Sequence, residues 1–505
     1  MLMSKNKKSN LNIFLDNSII SIVDELYNVI SKPWKNMYEN HIIPINKNSS
    51  INVLKSHLTS YSDYKLQKNI KELPEWYILS SGTRKQKIYA IYDNSIDMIG
   101  FLLIDLYCPR GKTLMVFHTS TMSSHNGMHV SDIITKNIYC LFSNPISLTY
   151  IRKFSVGPEQ LFMCKDHYLA YYNHLYNGLV ESKLKRIILT SGRQLLLLME
   201  ILNDKKKELV DQLLKHNHKR GTVVQEILYD TNNPEMKNVF KKLWQNLEMI
   251  VLNTAGHSRI YTEQIKKYIG NIKLYSPVYA IPECTIGYDI YKDGFYIIDP
   301  RKGYFEFILV DSNYLKGNIK DKKPCSMSLL KKEHLYNLVV SSVYTNLNRY
   351  ITNEIIQVID YVGGVPKIDI ICNSNDLLFI KNKIITPYDI EVVLLKYFDM
   401  SDYCFRKSDG KYKMYIELTQ DMYLCDDKHI YDVRDEIKNI DISKHLYHKL
   451  LIYFEVRIVS LNTFKMLFQK RYSEYIDPSI INIPRNITDK DDVDIIRENI
   501  LYLFP

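Results

Sequence analysis

The stretch "WYILSSGTRKQKIYAIYD", Trp76 to Asp93, sets four small residues, Ser80-Ser81-Gly82-Thr83, between an apolar segment and a basic one. Two readings stay open at this point. Hydroxyls, a glycine and exposed backbone N–H groups can wrap an anion, with Arg84, Lys85 and Lys87 adding positive charge. The same residues also make an ordinary hairpin turn carrying surface lysines. The rest of the chain has to choose between a phosphate loop and a hairpin.

Before this stretch, residues 18–40 space their apolar positions as a helix does. After it, "GFLLIDLYC" (100–108) and "KTLMVFHTS" (112–120) are expected to be strands flanking a Pro-Arg-Gly turn. From Pro158 to Leu202 the pattern is helical. "LEMIVLNTAG" (247–256) is a continuous apolar strand ending in a small-residue turn, where open α/β sheets place ligands. "KLYSPVYAIPE", "GYFEFILVD", "VYTNLNRYITNEIIQVIDY" and "GGVPKIDIICNSND" read as further strands. Beyond Asp376 the order becomes helix, strand, helix-to-strand and helix, a compact α+β unit. The expected class is α/β, with a large N-terminal α/β domain over 1–375 and a smaller C-terminal α+β domain over 376–505.

Composition narrows the function classes. The chain has 505 residues, 46% hydrophobic and 24% charged, enough for a large core and more than one domain. Its net charge of +10 is the small excess of 66 basic over 56 acidic residues. That accommodates an anionic ligand without marking a dedicated nucleic-acid binder. The abundance of Ile, Asn, Lys and Tyr looks like the imprint of an AT-rich genome, such as a virus or parasite carries. Eight cysteines stand singly, without a C-x-x-C pair, so reduced thiols and a cytoplasmic location are expected. The N-terminus reads as a tail entering an amphipathic helix, and no apolar run approaches the ~20 residues of a membrane span.

Read in order, these pieces resemble one family, the Gretchen Hagen acyl-acid amido synthetases of the adenylate-forming enzymes. "LSSGTRKQKIYAIYD" resembles the family's Ser-Ser-Gly-Thr phosphate loop, and "LWQNLEMIVLNTAGHSRIYTEQIKKYIGNIKLYSPVYAIPE" its Trp-Pro-Asn strand, Thr-Gly turn and Tyr-Ala-Ser-Ser-Glu motif. "GYFEFILVD" is similar to its Tyr-Phe-Glu-Phe strand, and "NTFKMLFQKRYSEYIDPSIINIPRN" to its C-terminal helix and closing loop. The resemblance implies ATP-dependent activation of a carboxylic acid to an acyl-adenylate, from which an amine displaces AMP. It implies that Ser80, Ser81, Gly82, Thr83 and Lys85 hold phosphates, and that Glu283 orients Mg²⁺. It sets Tyr279 against adenine, Glu354 at the ribose, Arg349 among the catalytic residues and Thr254 beside the acyl pocket.

The departures from the family pattern fall on the chemistry. Arg84-Lys85-Gln86-Lys87 follows Thr83 directly, so the loop is shortened, with Lys85 or Lys87 left to replace its lysine. Ile281-Pro282 stands where the family has Ser-Ser, removing two hydroxyls and an N–H donor. In "NRYITNEI" Arg349 keeps the first arginine position, but Ile351 occupies the second and Glu354 replaces aspartate. "INIPR" (481–485) lacks the lysine of the closing loop. Two functions remain: a catalytically impaired protein that binds ligands or a host protein, and an active ligase joining a small carboxylic acid to an amine. The departures favour the first. Cys284 has no His or Asp at nucleophile spacing, and His125 and His129 read as loop histidines rather than metal ligands.

Overall fold

The computed structural model describes residues 42–503, apart from 47–48, 53–55, 67–73, 81–86, 93–97, 120–122, 126–127, 343, 381–382, 409–410, 420–453 and 472–482. The helix expected over 18–40 therefore lies outside the described residues.

A four-stranded parallel sheet forms one centre, in the order Lys273–Tyr275, Met249–Asn253, Arg186–Ser191 and Thr113–Met115. The strand Met249–Asn253 is buried over four of its five residues, as a parallel strand covered on both faces must be. Helices Gly192–Asp204, Lys206–His216 and Arg259–Ile269 pack their apolar stripes beside it, and Leu195, Leu198, Leu202, Leu209, Leu213, Ile265 and Ile269 are each at most 2% exposed.

A seven-stranded antiparallel sheet stands next to it. Its order is Val278–Ile281, Cys284–Tyr288, Tyr296–Ile298, Val365–Asn373, Leu347–Val362, Leu335–Ser342 and Tyr304–Leu309. A smaller four-stranded sheet carries Trp76–Leu79 paired with Ile88–Ile91 on one side and with Met128–Ser131 on the other. Beyond residue 376 come the hairpin Leu378–Ile380/Lys383–Ile385 and the helix Pro387–Tyr397, which opens on a capping box between Thr386 and Asp389. A mixed four-stranded sheet follows, in the order Met400–Ser408, Lys411–Leu418, Phe454–Val459 and Ile500–Leu503.

Two expectations need correction. "GFLLIDLYC" is not a strand: Met98–Tyr107 is a helix. A run apolar on every side carries no period that separates strand from helix; here one face is buried while Leu102 and Leu106 stay exposed. Leu103 and Ile104 enter the core, while Gly100 lies close enough to Val278 that a Cβ there would meet its side chain at 3.4 Å. The helical reading of Pro158–Leu202 also overlooked the strand Arg186–Ser191, a short buried run set between two helices.

No helix among the described residues is long and apolar enough to cross a membrane. The seven described cysteines are free thiols. His129 lies against the Trp76 ring at 4.8 Å, and no group of three or more His, Cys, Asp or Glu among the described residues is placed to hold a metal ion.

Candidate active site

The flanks of the opening stretch, Trp76–Leu79 and Ile88–Ile91, pair as antiparallel strands. The Ser80 N–H donates to the Lys87 carbonyl at 2.8 Å, and the Lys87 N–H donates to Ser80 Oγ at 3.0 Å, closing the neck between the two strands. Ser80 is 8% exposed there; Ser81, Gly82, Thr83 and Lys85 lie outside the described residues.

Alternation along the second strand puts Lys87 and Tyr89 on one face. Tyr89, 1% exposed, donates its hydroxyl to Glu283 Oε1 at 2.6 Å and lies 2.9 Å from the Tyr350 hydroxyl. Lys87 Nζ reaches that same Tyr350 hydroxyl at 3.2 Å. Glu283 occupies the tight turn of the hairpin Val278–Ile281/Cys284–Tyr288, and its carbonyl accepts the Thr345 hydroxyl at 2.9 Å. On the incoming strand of that hairpin, Tyr279 donates to Glu354 Oε2 at 3.0 Å. The loop after Met249–Asn253 closes against this pair. A Cβ on Gly256, which has φ +56°, would sit 3.8 Å from the Tyr279 hydroxyl, and partly exposed Thr254 precedes it by two residues.

Ser80, Glu283, Tyr279, Glu354 and the loop of Thr254 thus come from four separated parts of the chain into one neighbourhood. Arg349 does not join them. Its guanidinium makes a bidentate pair with Glu306 at 2.9 and 2.8 Å and donates to the Ser56 carbonyl at 2.6 Å. That pair is nearly sealed, with side-chain exposures of 11% and 5%. Lys87, by contrast, is drawn inward.

Electrostatics follow from this crowding. Burial pushes the Glu283 carboxyl above its ordinary range, opposed by the charge of Lys87 and the hydrogen bond from Tyr89. Glu354 is pushed up to about 7, first by desolvation and further by the charge of Glu283, against the Tyr279 hydrogen bond and Lys87. A magnesium ion needs ionised, hydrated oxygen ligands. A carboxyl 4% exposed, with one oxygen already taken by the Tyr89 hydroxyl, is not open to that ion in this arrangement.

An acyl pocket beside Thr254 was implied by the resemblance, but not its walls: a cavity of about 700 Å³ beside this cluster reaches Asn253 and is lined by Phe101, Met115, Phe117, Leu141, Phe142 and Phe162 among others. It is of the size and apolar character that buries a small organic ligand. Its wall comes from the helix Met98–Tyr107, the helix Ile133–Ser143 and the ends of the parallel strands, so misreading the first of these hid it. The alternation that places Tyr89 beside Lys87 was a signal in the sequence; the residues that wall the cavity carried none.

Residues 70–274 match the GH3 family N-terminal domain, and residues 296–373 match the GH3 family central domain. The jasmonoyl–L-amino acid synthetase GH3.5 of Oryza sativa subsp. japonica is 21% identical over 358 residues, covering 62% of this chain and 61% of that protein. The chain therefore spans less than two thirds of that relative's length. The solved GH3.15 acyl acid amido synthetase superposes with a TM-score of 0.71 at 18% identity, covering 98% of this chain and 97% of that one. A 2-hydroxyisobutyryl-CoA ligase in the postadenylation state, in complex with R3-HIB-AMP, gives 0.50 at 11% identity over 96% and 91%. These likenesses speak for the fold: an adenylate-forming architecture with an N-terminal α/β domain and a C-terminal domain.

Proposed function

Starting from the fact that this chain belongs to the GH3 family, we propose that it is an acyl-acid amido synthetase relative that binds its ligands but adenylates poorly or not at all. The acid enters the cavity walled by Phe117 and Phe142. A nucleotide contacts Ser80–Thr83, Lys85, Tyr279 and Glu354, and Thr254 borders the passage between the two ligands. The observation that carries the reading is the state of Glu283: buried, and hydrogen-bonded to Tyr89 at 2.6 Å where a metal-orienting carboxylate should stand open.

The charge inventory supports it. Adenylation brings a carboxylate against an α-phosphate, and positive charge at that meeting is worth ~3–4 kcal/mol per contact. Here Ile351 fills one arginine position, Arg349 is engaged by Glu306, and Arg485 of the closing loop is 1% exposed and ion-paired with Asp402. Losing even one such contact slows the step ~10²–10³-fold.

The division of the chain near residue 375 belongs to the same proposal. The last strand of the seven-stranded sheet ends at Asn373, and the elements after it build their own sheet. The two parts are nonetheless joined: Ile260 and Tyr261 pack with Leu378, Ile390, Tyr403 and Ile458 in one apolar cluster.

The second reading, an active ATP-dependent ligase, is favoured by Lys87, whose ammonium reaches the Tyr350 hydroxyl at 3.2 Å beside the carboxylate cluster. ATP–pyrophosphate exchange in the presence of added carboxylic acids separates the two. The impaired reading expects exchange at background, with titration calorimetry still registering the acid or ATP. Robust acid-dependent exchange, abolished by Glu283→Ala, overturns it.

A further inference from the structure

The helix Pro145–Phe154 lends the cavity two hydroxyls, Ser147 and Tyr150, from successive turns of one face. Ile146 and Ile151 flank them along the helix and line the cavity too. Behind Tyr150 stands Arg186, 0% exposed and the first residue of its strand. Its guanidinium donates to the Tyr150 hydroxyl and, through Nε at 2.5 Å, to Thr113 Oγ1. It also lies 5.5 and 5.7 Å from the ring centres of Tyr150 and Phe154.

The direction of these bonds decides what the hydroxyls can do. A guanidinium has no acceptor, so the bond can run only from Arg186 to the tyrosine oxygen. The Tyr150 proton is not used by that bond, and no acceptor takes it among the described residues. Ser147 is 7% exposed, and its Oγ is buried with no hydrogen-bond partner among the described residues. Asp105 lines the same cavity, but both its oxygens are taken by Arg110, at 3.3 and 2.7 Å. Two donors thus remain unused in a largely apolar wall, where a buried polar group without a partner is costly.

The parallel sheet fixes where along the cavity they lie. Arg186 pairs with Met249 at one end of its strand, and Ser191 with Asn253 at the other. From Arg186 to Thr190 the strand covers ~13 Å at about 3.3 Å per residue. Asn253 and Thr190 line the cavity where it leads to Thr254, so Tyr150, against Arg186, belongs to the end away from the carboxylate cluster.

We propose that Ser147 and Tyr150 form a two-donor subsite for a neutral carbonyl oxygen, borne by the bound acid far from its carboxylate. This rests on the reading of the cavity as an acid site and adds the substituent that the site selects. A carbonyl oxygen has two lone pairs and no proton, the complement of two hydroxyl donors. The guanidinium on the phenol oxygen polarises Tyr150 and strengthens its proton as a donor. A second carboxylate is disfavoured, because Asp105 already sets a negative charge near Tyr150.

Titration calorimetry on the full chain compares octanoate with 7-oxooctanoate, and decanoate with 9-oxodecanoate. Moving a ketone from water into a wall without donors weakens binding roughly tenfold. The expected result is instead a keto acid that binds at least as tightly as its parent at one of the two lengths. Ser147→Ala and Tyr150→Phe should each weaken that keto acid roughly fivefold and leave the parent acid unchanged. Ser147→Ala breaks no side-chain hydrogen bond among the described residues, so it reads the subsite without disturbing the fold. Keto acids weaker than their parents at both lengths overturn the subsite on the native chain alone. So does Ser147→Ala binding both acids of the pair as the native chain does. In those cases the acid-site reading survives. If neither parents nor keto acids bind the native chain, that reading falls and the subsite falls with it.

Discussion

Two buried charge clusters sit on either side of residue 375, and they meet the cost of burial differently. Beyond it, Arg485 is 1% exposed and bonds to the Asp402 carboxylate and, at 2.7 Å, to the Tyr403 carbonyl. Its guanidinium also faces Glu391 at 3.5 Å and the Tyr403 ring at 4.4 Å, while Tyr261 donates to Asp402 at 2.8 Å from the N-terminal side. On the near side, burial pushes both Glu283 and Glu354 up, the charge of Glu283 pushes Glu354 further, and Lys87 is the cation that opposes both shifts. The first cluster sets a guanidinium directly against its carboxylates and ties two parts of the chain together. The second has no guanidinium against its carboxyls: they take tyrosine hydroxyls, Tyr89 on Glu283 and Tyr279 on Glu354, with the Lys87 ammonium beside Tyr350.

The largest effect should come from breaking the first cluster. Arg485→Met leaves Asp402 and Glu391 buried without their cation, and Glu391 is already pushed up to about 7 by desolvation that Arg485 only partly offsets. A loss of ~3–5 kcal/mol is expected, read as a lower denaturation midpoint for the C-terminal part. A loss below ~1 kcal/mol would erase the distinction between the two clusters.

The next test sharpens the second cluster through pH. The folded pKa of Glu354, about 7, lies above its ordinary 4.5, so between those values the folded chain holds a proton that the unfolded chain has released. Stability from this group therefore falls as pH rises from about 4.5 to about 7, and the penalty is complete above that. Glu354→Gln removes it. Measured against the native chain, the variant should gain up to about 3 kcal/mol on going from pH 5 to pH 8. Parallel pH profiles for the two proteins would show that Glu354 is not held protonated.

How much of this was legible depends on whether the signal is local. The strand Met249–Asn253 declares itself by an unbroken apolar run, and Tyr279, Glu283 and Glu354 were singled out by resemblance before the fold brought them together. The pairing of Arg349 with Glu306 spans 43 residues and left no mark in either segment, so the arginine was assigned to chemistry. Arg485 looked like the remnant of a closing loop because nothing nearby reveals Asp402, 83 residues earlier. Tyr150 is one tyrosine in a tyrosine-rich chain until a cavity opens beside it. Local alternation and apolar runs were readable; which charge meets which was not.

The smallest effect concerns the tyrosine that separates the two readings of the site. Tyr89 gives Glu283 its 2.6 Å hydrogen bond and contacts Tyr350 at 2.9 Å. Tyr89→Phe keeps the ring, and with it the packing against Tyr61 and Tyr64 at 5.8 Å each, so only the hydroxyl is lost. A buried carboxyl left without that donor costs ~1–2 kcal/mol, and the pKa of Glu283 moves further up because the bond had been holding it down. Two measurements check this: the denaturation midpoint of the variant, and calorimetry with Mg²⁺ alone. If Tyr89 is only a structural partner, stability drops and Mg²⁺ binding stays absent in both proteins. If the hydroxyl is a cap over a working metal ligand, Tyr89→Phe binds Mg²⁺ where the native chain does not. That second outcome would move the boundary drawn here, making the near-side cluster a closed form of an active site instead of a lost one.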